Sequence, residues 1–127
     1  MKRHSPTKGQ LEAAISEAVV QFEQEFMGRG PLEARTFIVD DMVIIRLRGV
    51  LTPAEHQLAK TVPVDHGREL IKKMRETLIE RGRPLLEAAL ERILGRKAIS
   101  MHTDISTRTG ERVIIFVMDC SPRPPER

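Results

Sequence analysis

The chain has no tryptophan and no tyrosine, and holds only four phenylalanines and one cysteine in 127 residues. The single thiol, Cys120, excludes an intramolecular disulfide and fits a reducing, cytoplasmic setting. The shortage of rings argues against a sheet that stacks nucleobases on aromatic side chains. Long apolar runs are also missing. The longest, Val113 to Met118, has six residues, whereas a bilayer span needs about 20. The N-terminus is basic but has no apolar segment behind it, so no secretory signal is expected.

A basic pI of about 9.4 invites a nucleic-acid reading, but the excess charge is local. Twenty-one Lys and Arg stand against 18 Asp and Glu, a net of +3. Lys2, Arg3 and Lys8 supply all of it, with no acid among residues 1–8, so residues 9–127 balance. A terminal arm is basic, not a folded face. The remaining composition, 40% hydrophobic and 31% charged, is that of one globular domain with a single core.

The order of periodic segments predicts an α+β domain, α-β-β-α-α-β-β, over residues 7–119. A loose arm is expected at 1–6 and an extended Pro-rich tail at 120–127. Thr7 and Gln10 have capping-box spacing, and Leu11, Ile15, Ala18, Phe22 and Phe26 then recur at helical spacing until Gly28. Ala34 to Val39 and Met42 to Arg48 read as strands joined at Asp40-Asp41. Thr52-Pro53-Ala54-Glu55 is a helix start, with Thr at the N-cap, Pro at N1 and Glu at N3. That helix is expected to stop near Lys60, at the Val62-Pro63-Val64 break, and Asp65 is expected to cap the next one. A third helix is expected from His66 to Leu94, with Ile71, Met74, Leu78, Gly82, Leu85, Ala89 and Ile93 recurring at steps of three and four. Gly82-Arg83-Pro84 should kink or split it, and Gly95 should end it.

Ala98 to Ile105 and Glu111 to Asp119 read as a second hairpin, completing a four-stranded sheet with helices packed on it. With Ile105 opposite Glu111, Ser100, His102, Asp104, Arg112, Ile114 and Phe116 share one face, and Asp104 faces Arg112. In the first hairpin, one face is apolar throughout. The opposite face is apolar near the turn, at Phe37, Val39, Met42 and Ile44, and cationic farther along, at Arg35, Arg46 and Arg48. A sheet covered on one side alternates cleanly. This one does not, so its second face should be covered by the N-terminal helix or by a second copy, or else form a ligand groove. Phe37, Val39, Met42 and Ile44 are therefore the interface candidates, and a homodimer is expected.

Few residues suggest chemistry. Ser100, His102 and Asp104 share a strand face, but i and i+2 side chains run parallel and do not form a relay, and no nucleophile elbow is present. Neither an H-x-x-x-H nor a C-x-x-C supports a metal site with His56 or His66. The turn Thr107-Arg108-Thr109-Gly110, with Arg112 beyond it, offers hydroxyls, guanidiniums and amides to an anion. His102, Asp104, Thr107, Arg108, Thr109, Arg112, Arg46 and Arg48 are thus the ligand-binding candidates. No catalytic constellation, cofactor site or metal site is recognised. The element order is shared with type II KH domains, but their G-x-x-G is missing, with only Gly67 between the two helices, so nucleic acid is not an expected partner.

Three stretches, I-S-E-A-V-V-Q-F-E-Q-E-F-M-G-R-G-P (15–31), D-D-M-V-I-I-R-L-R-G-V-L-T-P-A-E (40–55) and S-M-H-T-D-I-S-T-R-T-G-E-R-V-I-I-F (100–116), resemble the MpsC-like family. The family was once grouped only as a bacterial domain of unknown function and takes its name from a sodium-translocating, membrane-potential-generating system. The resemblance covers roughly residues 10–118. It implies a soluble accessory or regulatory subunit with a membrane-protein partner that moves ions or inorganic carbon. It supplies no catalytic residues to carry over.

Overall fold

The computed structural model describes residues 6–61 and 63–121. Most of the expected arm, the tail from 122 onward and Val62 of the expected break lie outside the described residues. Seven elements follow in the expected order: α1 (Lys8–Met27), β1 (Glu33–Val39), β2 (Met42–Arg48), α2 (Pro53–Lys60), α3 (Val64–Leu94), β3 (Ala98–Ile105) and β4 (Arg112–Met118). The strands form one antiparallel sheet in the order β1-β2-β4-β3.

Helix α1 begins where its side chains satisfy free backbone donors. Thr7 Oγ1 accepts from Gln10 N at 3.1 Å and Gln10 Oε1 accepts from Thr7 N at 2.8 Å, a closed capping box. The helix ends at Gly28, whose φ of 85° is the left-handed cap. Leu11, Ile15, Val19 and Phe22 are buried against the sheet face that carries Ile38, Val43, Ile45, Leu47, Ile114 and Phe116. Ser16 and Thr36 share a 2.7 Å hydrogen bond across this contact. Glu12 Oε2 accepts from Ile38 N at 2.9 Å, which occupies a donor on the edge strand β1. All three helices contribute to this one core, so α1 does not cover the opposite sheet face.

The first hairpin has the expected register, Phe37 opposite Ile44 and Val39 opposite Met42. Asp40 carries the turn's positive φ, 55°, which a short polar side chain tolerates. The second hairpin is shifted by one residue from the expected register. Ile105 lies opposite Arg112, not Glu111, and Asp104 lies opposite Val113. A one-residue slip exchanges faces. Arg112, Ile114 and Phe116 therefore point into the core with Met101, Thr103 and Ile105, while Val113, Ile115 and Val117 join Ser100, His102 and Asp104 outside. The expected Asp104–Arg112 cross-strand pair does not form.

Helix α3 also departs from expectation. It is not split at Pro84 but continues through it for 31 residues, roughly 46 Å. Its N-cap is Pro63 with no side-chain cap, and Asp65 lies in the first turn instead. The buried positions are Gly67, Ile71, Arg75, Ile79, Gly82, Leu86 and Leu90, while Met74 and Leu85 are 45% and 58% exposed. Gly82 does not interrupt the helix; it admits α1. A Cβ there would lie 2.3 Å from the Phe22 ring, which stacks on Phe26 at 4.5 Å. Arg83 pairs with Glu80 at 3.7 Å and Glu87 at 2.9 Å, bracing the turns on either side of the proline.

Candidate functional site

The expected site residues separate into three places. The first is the outer sheet face. Phe37 and Val39 are 39% and 44% exposed, Met42 and Ile44 are half-buried, and Val113, Ile115 and Val117 extend the apolar surface across β4. The register pairs Phe37–Ile44–Ile115 form its middle row. Arg35, 5.4 Å over the Phe37 ring, Arg46 and Arg48 lie toward one end, and Asp40, Asp41 and Asp119 flank the other. Arg46 is ion-paired with Glu111 and Arg48 with Glu33 at 3.6 Å. A contiguous apolar sheet face rimmed by charge is the usual mark of an interaction surface.

The second place is the β3–β4 turn. Ser106 N donates to Glu111 O and Gly110 N to Ser106 O, each at 2.8 Å, while Ser106 Oγ and Thr109 Oγ1 take the amides of Thr109 and Glu111. Beside the turn, α3 overhangs the sheet edge and leaves an open cavity of about 510 Å³. Thr107 and Arg108 line it, but so do Arg68 and Lys72, which sequence reasoning missed. Thr109 is exposed at the tip. Lys72 Nζ lies 3.1 Å from Asp104 Oδ1, and this hydrogen bond holds the Asp104 carboxyl below its ordinary pKa. His102 stands apart, exposed on β3, with its Nε2 3.3 Å from Ser100 Oγ. Among the described residues no group of three or more His, Cys, Asp or Glu side chains is placed to hold a metal ion.

The third place is interior and holds four charges. Arg112, expected on a strand face opposite Asp104, is 2% exposed, and with it are Glu23 and Arg75 at 1% and Glu55 at 7%. Each comes from a different element: Glu23 from α1, Glu55 from α2, Arg75 from α3 and Arg112 from β4. Arg75 Nε and Nη2 donate to Glu55 Oε2 and Oε1 at 2.8 and 2.6 Å, a bidentate fork. Arg75 Nη2 also donates to Val50 O at 2.7 Å. Glu55 Oε1 additionally accepts from Thr52 N at 2.8 Å, so the α2 capping box and the fork share a carboxylate. Arg112 Nη1 donates to Thr103 Oγ1 at 2.8 Å. Arg75 Nη1 is 3.7 Å from Glu23 Oε1, an ion pair too long for a hydrogen bond.

These environments push the two carboxyls apart. Burial raises the Glu55 pKa, but the Arg75 fork and the Thr52 amide outweigh it and hold Glu55 below the ordinary range. Burial raises the Glu23 pKa, and the nearby Arg112 and Arg75 do not offset it. Burial likewise lowers the Arg112 pKa, with Arg75 adding repulsion against the attraction of Glu23. Glu23 Oε2, Arg75 Nη1 and Arg112 Nε have no hydrogen-bond partner among the described residues. One sequence signal could have exposed this network. Arg75 sits four residues from Ile71 and four from Ile79, a charge inside an apolar i, i+4 series.

Fold and surface thus define a single α+β domain with a charged interior and an outer sheet face that no described element covers. Among the described residues no helix is long and apolar enough to cross a membrane. The chain belongs to the MpsC family, described as a Na+-translocating membrane potential-generating system, whose model matches residues 7–120. It is similar to the uncharacterized protein YbcI of Bacillus subtilis (strain 168), at 41% identity over 87% of this chain and 86% of that protein. It is also similar to the uncharacterized protein YrhF of the same organism, at 27% identity over 83% and 84% of the two chains. No solved structure matches the chain.

Proposed function

We propose that this chain is a non-catalytic accessory subunit that acts as a homodimer at the cytoplasmic side of the membrane system for which its family is named. The observation that carries the reading is the outer sheet face, apolar across β1, β2 and β4 and covered by no element among the described residues. A second copy fits it in area and in charge. Four strands about 4.8 Å apart and seven residues long at about 3.3 Å each give roughly 440 Å² of flat footprint. With side-chain relief the two copies would bury about 1,000 Å² in total, the lower bound for a specific interface. A two-fold axis in the interface plane and across the strands sets the arginine end of one face over the aspartate end of the other, with Ile44 and Ile115 near the axis. Aligned packing of two sheets accommodates this arrangement. The edges are poorer docking sites, because Glu12 occupies Ile38 N on β1 and a bulge interrupts β3 between Ala98 and Ser100.

The test has two arms. Light scattering should give twice 14.4 kDa for the chain and a single-subunit mass for Ile44→Lys that retains native circular dichroism. In cells that carry the sodium-translocating system, deleting the chain should reduce the sodium-dependent membrane potential, and Ile44→Lys should fail to restore it. A wild-type chain that stays monomeric at tens of micromolar overturns the dimer. An unchanged potential in the deletion strain overturns the accessory role.

A further inference from the structure

We propose that the cavity between the N-terminal half of α3 and the β3–β4 turn binds a small phosphate-bearing ligand. The volume, about 510 Å³, falls within the range of small-ligand sites. Arg68 and Lys72, one helical turn apart on α3, and Arg108 from the turn converge on it. The two acids on its wall are already engaged, Asp104 by Lys72 and by Ile105 N, and Glu111 by Arg46. Arg68 and Arg108 have no hydrogen bond or ion pair among the described residues, so two positive charges face the cavity uncompensated.

The neutral donors point to the same ligand chemistry. The turn's own hydrogen bonds use the amides of Ser106, Thr109, Gly110 and Glu111. Those of Thr107 and Arg108 are left, two successive N–H groups of the kind that cradle oxyanions. Ser106 Oγ accepts from Thr109 N, which leaves its own proton to donate, and Thr107 adds a second hydroxyl on the cavity wall. Two guanidinium forks, two hydroxyls and two amides exceed what the two oxygens of a carboxylate can accept, but suit the three oxygens and double charge of a phosphate monoester. No aromatic ring lines the cavity, so a nucleobase would find no stacking partner. The phosphate should therefore be carried on a small polar group.

Isothermal titration of the full chain with glycerol 3-phosphate and with pyrophosphate tests the site, with glycerol as the uncharged control. Flotation with vesicles containing phosphatidic acid tests whether the phosphate belongs to a lipid. Arg68 and Arg108 are exposed, so Arg68→Gln and Arg108→Gln should fold normally. Each should weaken binding of the responding probe at least tenfold, the equivalent of losing one charge-assisted contact. Arg96→Gln, an exposed cation beyond the far end of α3, should leave it unchanged. Response to either soluble probe or to the vesicles, with that pattern of loss, supports the site and identifies the source. No response to any probe overturns it, as does binding that survives both substitutions. The readouts do not depend on dimer mass or membrane potential, so the site and the accessory role can fail separately.

Discussion

Replacing Arg75 should be among the most damaging single changes in this protein. Arg75→Ala removes three hydrogen bonds, two to Glu55 and one to Val50 O. It also strands Glu55 as a charge that is 7% exposed and takes away a cation near Glu23 at 1%. Breaking a buried pair from one side costs about 3–5 kcal/mol, because the partner stays desolvated without compensation. A domain of this size has roughly 6–19 kcal/mol in total at the usual value per residue, so a loss of about 4 kcal/mol is a large share. With an unfolding entropy of roughly 0.27 kcal/mol/K for this length, the melting temperature should fall by about 15 °C. Urea unfolding should show the midpoint falling with an unchanged m-value. Arg75→Met combined with Glu55→Gln should be more stable than Arg75→Met alone, since Glu55 is then no longer left inside as an unpaired charge. A loss below about 1 kcal/mol for Arg75→Ala, or a double variant worse than the single, would refute the reasoning.

Two further outcomes follow from the interior. The Glu23 carboxyl has a folded pKa raised above its unfolded value by burial, so its contribution is fully present below the unfolded pKa and is lost as pH rises through the folded pKa. Glu23→Gln removes that loss, so urea midpoints from pH 4 to pH 7 should show the variant gaining on the wild type as pH rises; a shrinking difference refutes this. Glu55, with its pKa lowered, contributes the opposite dependence, stability held above the unfolded pKa and lost as pH falls through the folded one. Gly82→Ala would place a Cβ 2.3 Å from the Phe22 ring. It should cost about 2 kcal/mol through overpacking, where an unhindered helical glycine would gain about 1 kcal/mol from alanine; a raised melting temperature would contradict the close approach of α1 and α3.

The strands, caps and glycine stops were readable because each follows from local chemistry. Met42–Arg48 and Ala98–Ile105 show strand composition between turn signals, and Thr7, Thr52, Gly28 and Gly95 carry cap chemistry that does not depend on distant residues. The register of the second hairpin was not readable. In β4, R-V-I-I-F-V-M is apolar on both faces after its first residue, so the pattern does not say which face turns inward. The turn then runs one residue longer than expected: Glu111 O still accepts from Ser106 N, while the Glu111 amide goes to Thr109 Oγ1 inside the turn. The α3 face was misread for a related reason. Two series run along the helix at spacings of three and four; the one with more oily residues is exposed at Met74 and Leu85 and only half-buried at Leu78, Ala89 and Ile93. Tertiary pairing with Glu55 and Glu23 decided the matter in favour of Arg75. The candidate ligand residues scattered because strand alternation orders neighbours along one chain, whereas the cavity is closed by Arg68 and Lys72 from a helix more than 30 residues earlier.

The four enclosed charges act as a coincidence lock on assembly. Any intermediate that brings in one or two of these elements strips water from an ion before its counter-ion arrives, so partial docking is penalised until α1, α2, α3 and β4 are all seated. An all-hydrocarbon centre would accept many slightly different alignments of the long helix on the sheet. Here sliding α3 by a single turn would leave the guanidinium fork facing oil, so the helix has one energetically tolerable seat.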